Sequence, residues 1–98
     1  MSILIIMLEK KTLNETTENK RKRLIFRSDH RGIKEMDLIL GSFARKNVPD
    51  FTEDELAQFD DLLKENDPDL YNWITGKEPP PANVVNGVFE KLQKHKLA

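Results

Sequence analysis

The sequence predicts an all-α fold, a small bundle of five short helices with no sheet. Apolar residues recur at the spacing of about 3.6 that places them on one face of a helix. Several segments open with residues that favour helix starts, and no segment alternates apolar and polar residues long enough to predict a strand. A chain of 98 residues fits one domain with a modest core. We assign residues 1–18 to a flexible N-terminal extension and residues 19–98 to a single helical domain.

The first helix is predicted over residues 20–30. Leu24 is expected to face inward, with Ile25 or Phe26 beside it. Gly32 then interrupts the pattern, because a glycine can end a helix or let another backbone come close.

The second helix, predicted over residues 33–46, carries the clearest apolar stripe and is expected to be the most buried. Leu38 and Ile39 widen that stripe, and Pro49 closes the segment. The stripe consists of Ile33, Met36, Leu40, Phe43 and Ala44.

The third helix has a strong start signal. Thr52 and Glu55 form a capping box, in which each side chain bonds to the backbone N–H of the other residue. Phe51 and Leu56 stand where a hydrophobic staple would hold the entering chain. The residues expected to face inward are Leu56, Phe59, Leu62 and Leu63.

The last two helices also have start signals. Asp67 is the expected N-cap of the fourth, Pro68 its first residue and Gly76 its stop. Asn83 is the expected cap of the fifth, over residues 84–96. The expected inward residues are Leu70, Trp73 and Ile74, then Val85, Val88, Phe89 and Leu92.

Charge is unevenly placed although the net charge is only −1. Residues 19–31 are rich in lysine and arginine, whereas residues 50–69 carry nine acids against Lys64 alone. Two interpretations stay open: the two stretches face each other inside the fold, or the basic stretch docks on a partner. Arg23, Arg27 and Arg31 would form one row if they share a helix.

Several classes of function find no support in the sequence. A chain without cysteine has no disulfide, thiolate metal site or cysteine nucleophile. His30 and His95 are far apart, without a further ligand at metal spacing, and His95 is expected to be solvated. No phosphate-binding glycine loop is present. The apolar run at residues 3–8 is too short to cross a bilayer and makes a poor signal peptide. We therefore assign no catalytic residue and no metal ligand, and expect no membrane insertion.

The most informative stretch is residues 30–37. Arg31 and Glu35 are four residues apart, so a local salt bridge is one interpretation. The other is a docking patch, in which Gly32 leaves a low spot between an arginine fork and a carboxylate acceptor.

These residues resemble a known family. Arg31-Gly32-Ile33-Lys34-Glu35 matches the R-G-x-x-E signature of the SdhE family, called succinate dehydrogenase assembly factor 2 in mitochondria. A second stretch is similar to the family's D-P-D-L-[FY]-N-W signature: Asp67-Pro68-Asp69-Leu70-Tyr71-Asn72-Trp73. The order and separation of the two signatures agree with the family over residues 20–94.

The resemblance implies a five-helix protein that is not an enzyme. It would bind the flavoprotein subunit of succinate dehydrogenase, and in bacteria also fumarate reductase, and promote covalent attachment of FAD. It would hold no cofactor stably, act on the FAD of its partner and be a monomer when free. The implied partner-binding residues are Arg31, Gly32 and Glu35, flanked by Arg27, His30 and Asp37, with Tyr71 at the border.

Two other functions remain as alternatives. One is a small nucleic-acid-binding or antitoxin-type helical module, although a domain-wide basic balance is absent. The other is a carrier of free FAD, although the only tryptophan, Trp73, is expected in the core. The expected location is the cytoplasm of a bacterium, or the mitochondrial matrix of a eukaryote.

Overall fold

The computed structural model describes residues 15–95, which form five α-helices and one 3₁₀ turn, with no strand in that range. The all-α prediction is confirmed. No helix within these residues is long and apolar enough to cross a membrane. The helices are α1 (Thr17–Asp29), α2 (Lys34–Asn47), α3 (Glu53–Leu62), α4 (Asp67–Thr75) and α5 (Gly87–Lys94), and the 3₁₀ turn is Val48–Asp50.

Helix α1 starts earlier than predicted. Thr16 is its N-cap, and the hydroxyl oxygen accepts from the Asn19 N–H at 3.1 Å. Glu15 adds a bond to Arg23, so residues 15–18 belong to the helical domain rather than to an extension. The rest of the predicted extension, residues 1–14, lies outside the described residues.

The predicted start of α3 is confirmed. The Thr52 hydroxyl oxygen accepts from the Glu55 N–H at 3.2 Å, and the Glu55 carboxylate accepts from the Thr52 N–H at 2.9 Å. The hydrogen bond from the Thr52 backbone N–H lowers the pKa of the Glu55 carboxyl the most, and the Lys91 ammonium lowers it further. Phe51 and Leu56, the two staple residues, are both buried.

The predicted starts of α4 and α5 are wrong. Asn66, not Asp67, caps α4, and its side-chain oxygen accepts from the Asp69 N–H at 2.9 Å. Asn86, not Asn83, caps α5, so Val85 precedes the helix and is exposed. Asparagine is as good an N-cap as aspartate, and the two candidates for α5 are both asparagines, so residue type alone did not choose between the positions.

The end of α4 is as predicted. Gly76 adopts φ 80°, in the left-handed region that favours glycine.

One continuous core joins the helices, and three of its aromatic rings pack against one another. Phe43, Phe51 and Phe59, which we call the aromatic cluster, have ring centroids 5.5–6.1 Å apart in tilted and edge-on arrangements. The predicted inward residues are buried, with two kinds of exception. Phe26, Leu38 and Val85 are exposed. Four isoleucines are partly buried: Ile25, Ile33, Ile39 and Ile74.

His95 packs against this core instead of being solvated. Its ring meets Phe43 edge-on at 5.5 Å between centroids, and its Nε2 lies 2.8 Å from the Ser42 hydroxyl. Burial, with a contribution from the Lys46 charge, lowers the pKa of His95.

The basic and acidic stretches meet inside the fold. Arg23 pairs with Asp60 at 3.1 Å, and Arg31 pairs with Asp67 at 2.7 Å. Burial raises the pKa of the Asp60 carboxyl, but the hydrogen bond and charge of Arg23 outweigh it, so the pKa is lowered overall. Intramolecular pairing therefore accounts for part of the charge asymmetry.

Candidate functional site

The predicted partner-binding residues gather around the loop between α1 and α2. Helix α1 ends at Asp29, and the C-cap residue His30 donates its N–H to the Arg27 carbonyl at 3.3 Å. Arg31 therefore lies beyond the helix, and the predicted row with Arg23 and Arg27 is broken there. Gly32 is exposed at the middle of the loop.

Arg31 does not face solvent as the docking interpretation requires. Its side chain is only 9% exposed. The Nε donates to Asp67 Oδ1 at 2.7 Å, Nη1 to the Leu63 carbonyl at 2.6 Å and Nη2 to the Glu65 carbonyl at 2.7 Å. The guanidinium thus binds the carbonyls that follow α3, where a cation is favourable. The expected outward fork is corrected to an inward one, and no salt bridge to Glu35 forms.

Asp67 is the acceptor that organises the loop. Its side chain is also 9% exposed. Besides the Arg31 bond at Oδ1, Oδ2 accepts the Gly32 N–H at 2.9 Å and the Ile33 N–H at 3.2 Å. Ile33 is the N-cap residue of α2, and the positive end of a helix favours a carboxylate.

Asp37 supplies the remaining acceptor. This residue lies in the first turn of α2, and its Oδ1 accepts the Arg31 backbone N–H. Together Asp67 and Asp37 satisfy three successive backbone donors before α2. Asp37 was predicted to flank a docking surface, and the structure gives it a role in shaping the loop.

Gly32 differs from Gly41 and Gly76 in what the fold requires of it. A Cβ at Gly41 would collide with the Asp29 carboxylate, and Gly76 has a positive φ. Gly32 has no positive φ, and a Cβ there would meet only Asp67 Oδ2 at an ordinary 3.6 Å. Neither backbone strain nor internal packing explains a glycine at this exposed position.

Two shallow cavities flank Gly32. One, of about 350 Å³, lies between α1 and the start of α4 and is lined by Phe26, Arg27, His30, Arg31, Gly32, Asn66 and Asp67. The other, of about 390 Å³, is lined by Ile33, Glu35, Pro68, Tyr71, Asn72 and Lys77.

Glu35 and Tyr71, two of the predicted site residues, both line the second cavity. Glu35 is exposed and forms no ion pair within residues 15–95. The Lys77 ammonium lies 5.2 Å from the centroid of the half-buried Tyr71 ring, a cation–π contact.

Phe26 lines the first cavity, whereas the sequence allows it as an inward residue. Its side chain is 63% exposed and stacks on His30, with ring centroids 4.0 Å apart. The His30 Nδ1–H donates to the Phe26 carbonyl at 2.7 Å, which holds the imidazole in place. Leu24 and Ser28 are buried four residues apart, so the residue midway between them faces outward.

We call one set of residues the Gly32 surface: the exposed Phe26, Arg27, His30, Gly32 and Glu35 together with the half-buried Tyr71. It offers an aromatic face, a cation, a carboxylate and a bare backbone. Within residues 15–95, no group of three or more His, Cys, Asp or Glu side chains is placed to hold a metal ion.

Comparison with known proteins gives this surface a family context. Residues 22–96 match the family described as "Flavinator of succinate dehydrogenase". The chain belongs to this family.

Curated relatives agree with the assignment. A protein from Drosophila grimshawi named "Succinate dehydrogenase assembly factor 2, mitochondrial" is 40% identical over 84 residues, covering 84% of this chain and 57% of that protein. Proteins of the same name from Dictyostelium discoideum and Candida glabrata are 41% and 42% identical, covering 80% and 85% of this chain. The chain spans little more than half the length of these relatives, 57%, 55% and 57% respectively.

Both signatures that carry the family resemblance lie inside the matched region. The structure brings them together, because Asp67 of the second bonds to Arg31, Gly32 and Ile33 of the first. The partner-binding role of the individual residues stays a prediction.

Proposed function

We propose that this flavinator-family chain binds the flavoprotein subunit of succinate dehydrogenase through the Gly32 surface and promotes covalent attachment of that subunit's FAD. Family membership and the names of the relatives support the partner. In this proposal the chain is a monomeric, non-catalytic assembly factor, and it works in the mitochondrial matrix or, in a bacterium, in the cytoplasm.

The docking part of the proposal is supported by a glycine that neither backbone conformation nor packing requires. Gly32 is exposed, has no positive φ and has room for a Cβ. A bare backbone at such a place lets another protein approach closely. The groups beside it suit recognition, since Phe26 and Tyr71 supply aromatic area and Arg27 and Glu35 supply charges of both signs.

The mechanism that follows is orientation of the partner. Flavin chemistry belongs to the cofactor and to the subunit that holds it. A docked assembly factor accelerates bond formation by holding the reacting groups of the subunit in a productive arrangement. The chain need not store flavin itself. In support, Trp73 is 8% exposed and packed in the core, so its ring is not available to stack on a flavin.

The test replaces Gly32 by arginine. Purified apo-subunit is incubated with FAD and either wild-type chain or Gly32→Arg, and covalent flavin is read by in-gel fluorescence. The long side chain should keep the partner away from the loop and weaken docking about tenfold, equivalent to ~1.4 kcal/mol, so the yield of covalent flavin should fall. Helical circular dichroism should stay unchanged because a Cβ fits at this position.

A matched control is Gly87→Arg. Gly87 is also exposed, has no positive φ and has its nearest atom, Gln58 Oε1, 3.9 Å from a Cβ. This variant should flavinylate the subunit like the wild type. A normal yield with Gly32→Arg, under conditions where wild-type chain is required, would remove the Gly32 surface from the proposal.

A further inference from the structure

We propose that Asp67 and Arg31 act as positioning residues, which set the shape of the Gly32 surface from inside the domain without touching the partner. We call this ion pair, with its bonds to the backbone of Gly32 and Ile33, the Asp67 clamp. The inference rests on the proposed docking function and assigns the second signature a role inside the domain.

The clamp connects two segments that are distant in the sequence. Arg31 and Asp67 are 36 residues apart in sequence. The Arg31 guanidinium also binds the Leu63 and Glu65 carbonyls, so it fastens the α1–α2 loop to the turn between α3 and α4. The loop therefore takes its position from a second part of the fold, not only from the helices that flank it.

The exposed glycine depends on the clamp for its position. Gly32 has no side chain with which to anchor itself, and its N–H is held by Asp67 Oδ2 at 2.9 Å. The same oxygen holds the Ile33 N–H. Without this acceptor, a glycine backbone would sample many conformations. A fixed loop spares the complex the entropy of ordering it on binding.

The clamp is fully hydrogen-bonded although its two side chains are largely buried. Both side chains are 9% exposed, and no buried side-chain nitrogen or oxygen within residues 15–95 lacks a hydrogen-bond partner. Removing one partner of such a pair leaves a buried charge uncompensated, whereas removing both charges together is much better tolerated. This asymmetry allows stability and positioning to be separated.

The experiment compares Asp67→Asn, Arg31→Met and the double variant with the wild type. Thermal unfolding by circular dichroism reports stability, titration against the apo-flavoprotein subunit reports Kd, and hydrogen exchange of the Gly32 and Ile33 amides reports the loop. Each single variant should unfold at a lower temperature than the wild type. The double variant should regain part of that loss, because neither charge is left unpaired.

Docking should behave differently from stability. Affinity should fall about tenfold or more in Asp67→Asn and should not recover in the double variant, because the carboxylate that holds the loop is missing in both. The two amides should exchange at least about tenfold faster in both, since their acceptor is altered.

Asp60→Asn is the matched control. Asp60 also pairs with an arginine of α1, Arg23, but among the described residues it has no hydrogen bond or ion pair to the α1–α2 loop. This variant should keep wild-type affinity and wild-type exchange at Gly32.

The outcomes separate the clamp from the proposed function. Wild-type affinity and exchange in Asp67→Asn would overturn the clamp, as would recovery of affinity together with stability in the double variant. If the wild-type chain itself fails to bind the subunit, the docking function fails. Amide exchange in Asp67→Asn still tests the clamp in that case: faster exchange than in the wild type supports it, and unchanged exchange overturns it.

Discussion

The aromatic cluster and the Asp67 clamp both join segments that are distant in sequence, but by different physical means. Phe43, Phe51 and Phe59 meet through apolar area that is removed from water. The clamp joins its segments through directed bonds between Arg31, Asp67 and backbone groups. Apolar burial depends mainly on area, whereas a hydrogen bond is lost when its geometry changes.

The aromatic cluster and the clamp also differ in where they lie relative to the Gly32 surface. The clamp residues border that surface, since Arg31, Gly32 and Asp67 line one of its cavities. The aromatic cluster contributes no residue to either cavity. Docking a specific partner needs fixed positions of a few groups, and directed bonds supply this better than a core that can repack. We infer that the cluster holds the domain together and that the clamp sets its recognition geometry.

The largest expected effect is in the aromatic cluster. Phe59 is fully buried, so Phe59→Ala leaves a cavity and should lower the free energy of unfolding by about 3–5 kcal/mol. Urea denaturation followed by circular dichroism measures this loss. Phe59→Leu, which removes less volume, serves as a milder variant that should stay folded. Its affinity for the flavoprotein subunit should be unchanged, and a large loss of affinity would show that the cluster shapes the docking surface too.

The aromatic cluster was largely predictable from the sequence. Phe43 and Phe59 occupy helical stripes, and Phe51 precedes a capping box, so each signal is contained within a few residues. Burial of all three follows from the same local spacing that predicted the helices. The exposed Leu38 marks the limit of that reasoning, because the width of a stripe depends on how many neighbours cover it.

The clamp was not predictable in the same way. Asp67 next to Pro68 has the sequence of a helix start, yet Asn66 performs the capping and frees the Asp67 carboxylate for the loop. The charge asymmetry indicated that basic and acidic stretches could face each other, but pattern does not choose partners across 36 residues. The sequence therefore identified Arg31 as a site residue, but the outward direction predicted for its side chain was wrong.

A smaller effect, on docking alone, is expected at Glu35. Its carboxylate is exposed and unpaired within the described residues, so Glu35→Ala should leave the unfolding free energy within about 0.5 kcal/mol of wild type. Affinity for the flavoprotein subunit should fall several-fold because a charged group at the interface is lost. Glu90→Ala is the matched control, since Glu90 is an exposed acid in the first turn of α5. Loss of helical circular dichroism in Glu35→Ala would instead make Glu35 structural.

The smallest effect is a pH dependence at the edge of the aromatic cluster. Burial against Phe43, with the nearby Lys46 charge, lowers the pKa of His95 in the folded chain. In the unfolded state His95 has a pKa of ~6.5 and binds a proton more readily than in the folded state. The free energy of unfolding should therefore fall as the pH drops through that value. His95→Gln should flatten this slope between about pH 7 and pH 5.5, above the range where carboxylates titrate. Urea denaturation across that interval measures the slope. If His95→Gln keeps the full wild-type slope, the proton is taken up by another group, and protonation of His95 does not affect the stability of the aromatic cluster.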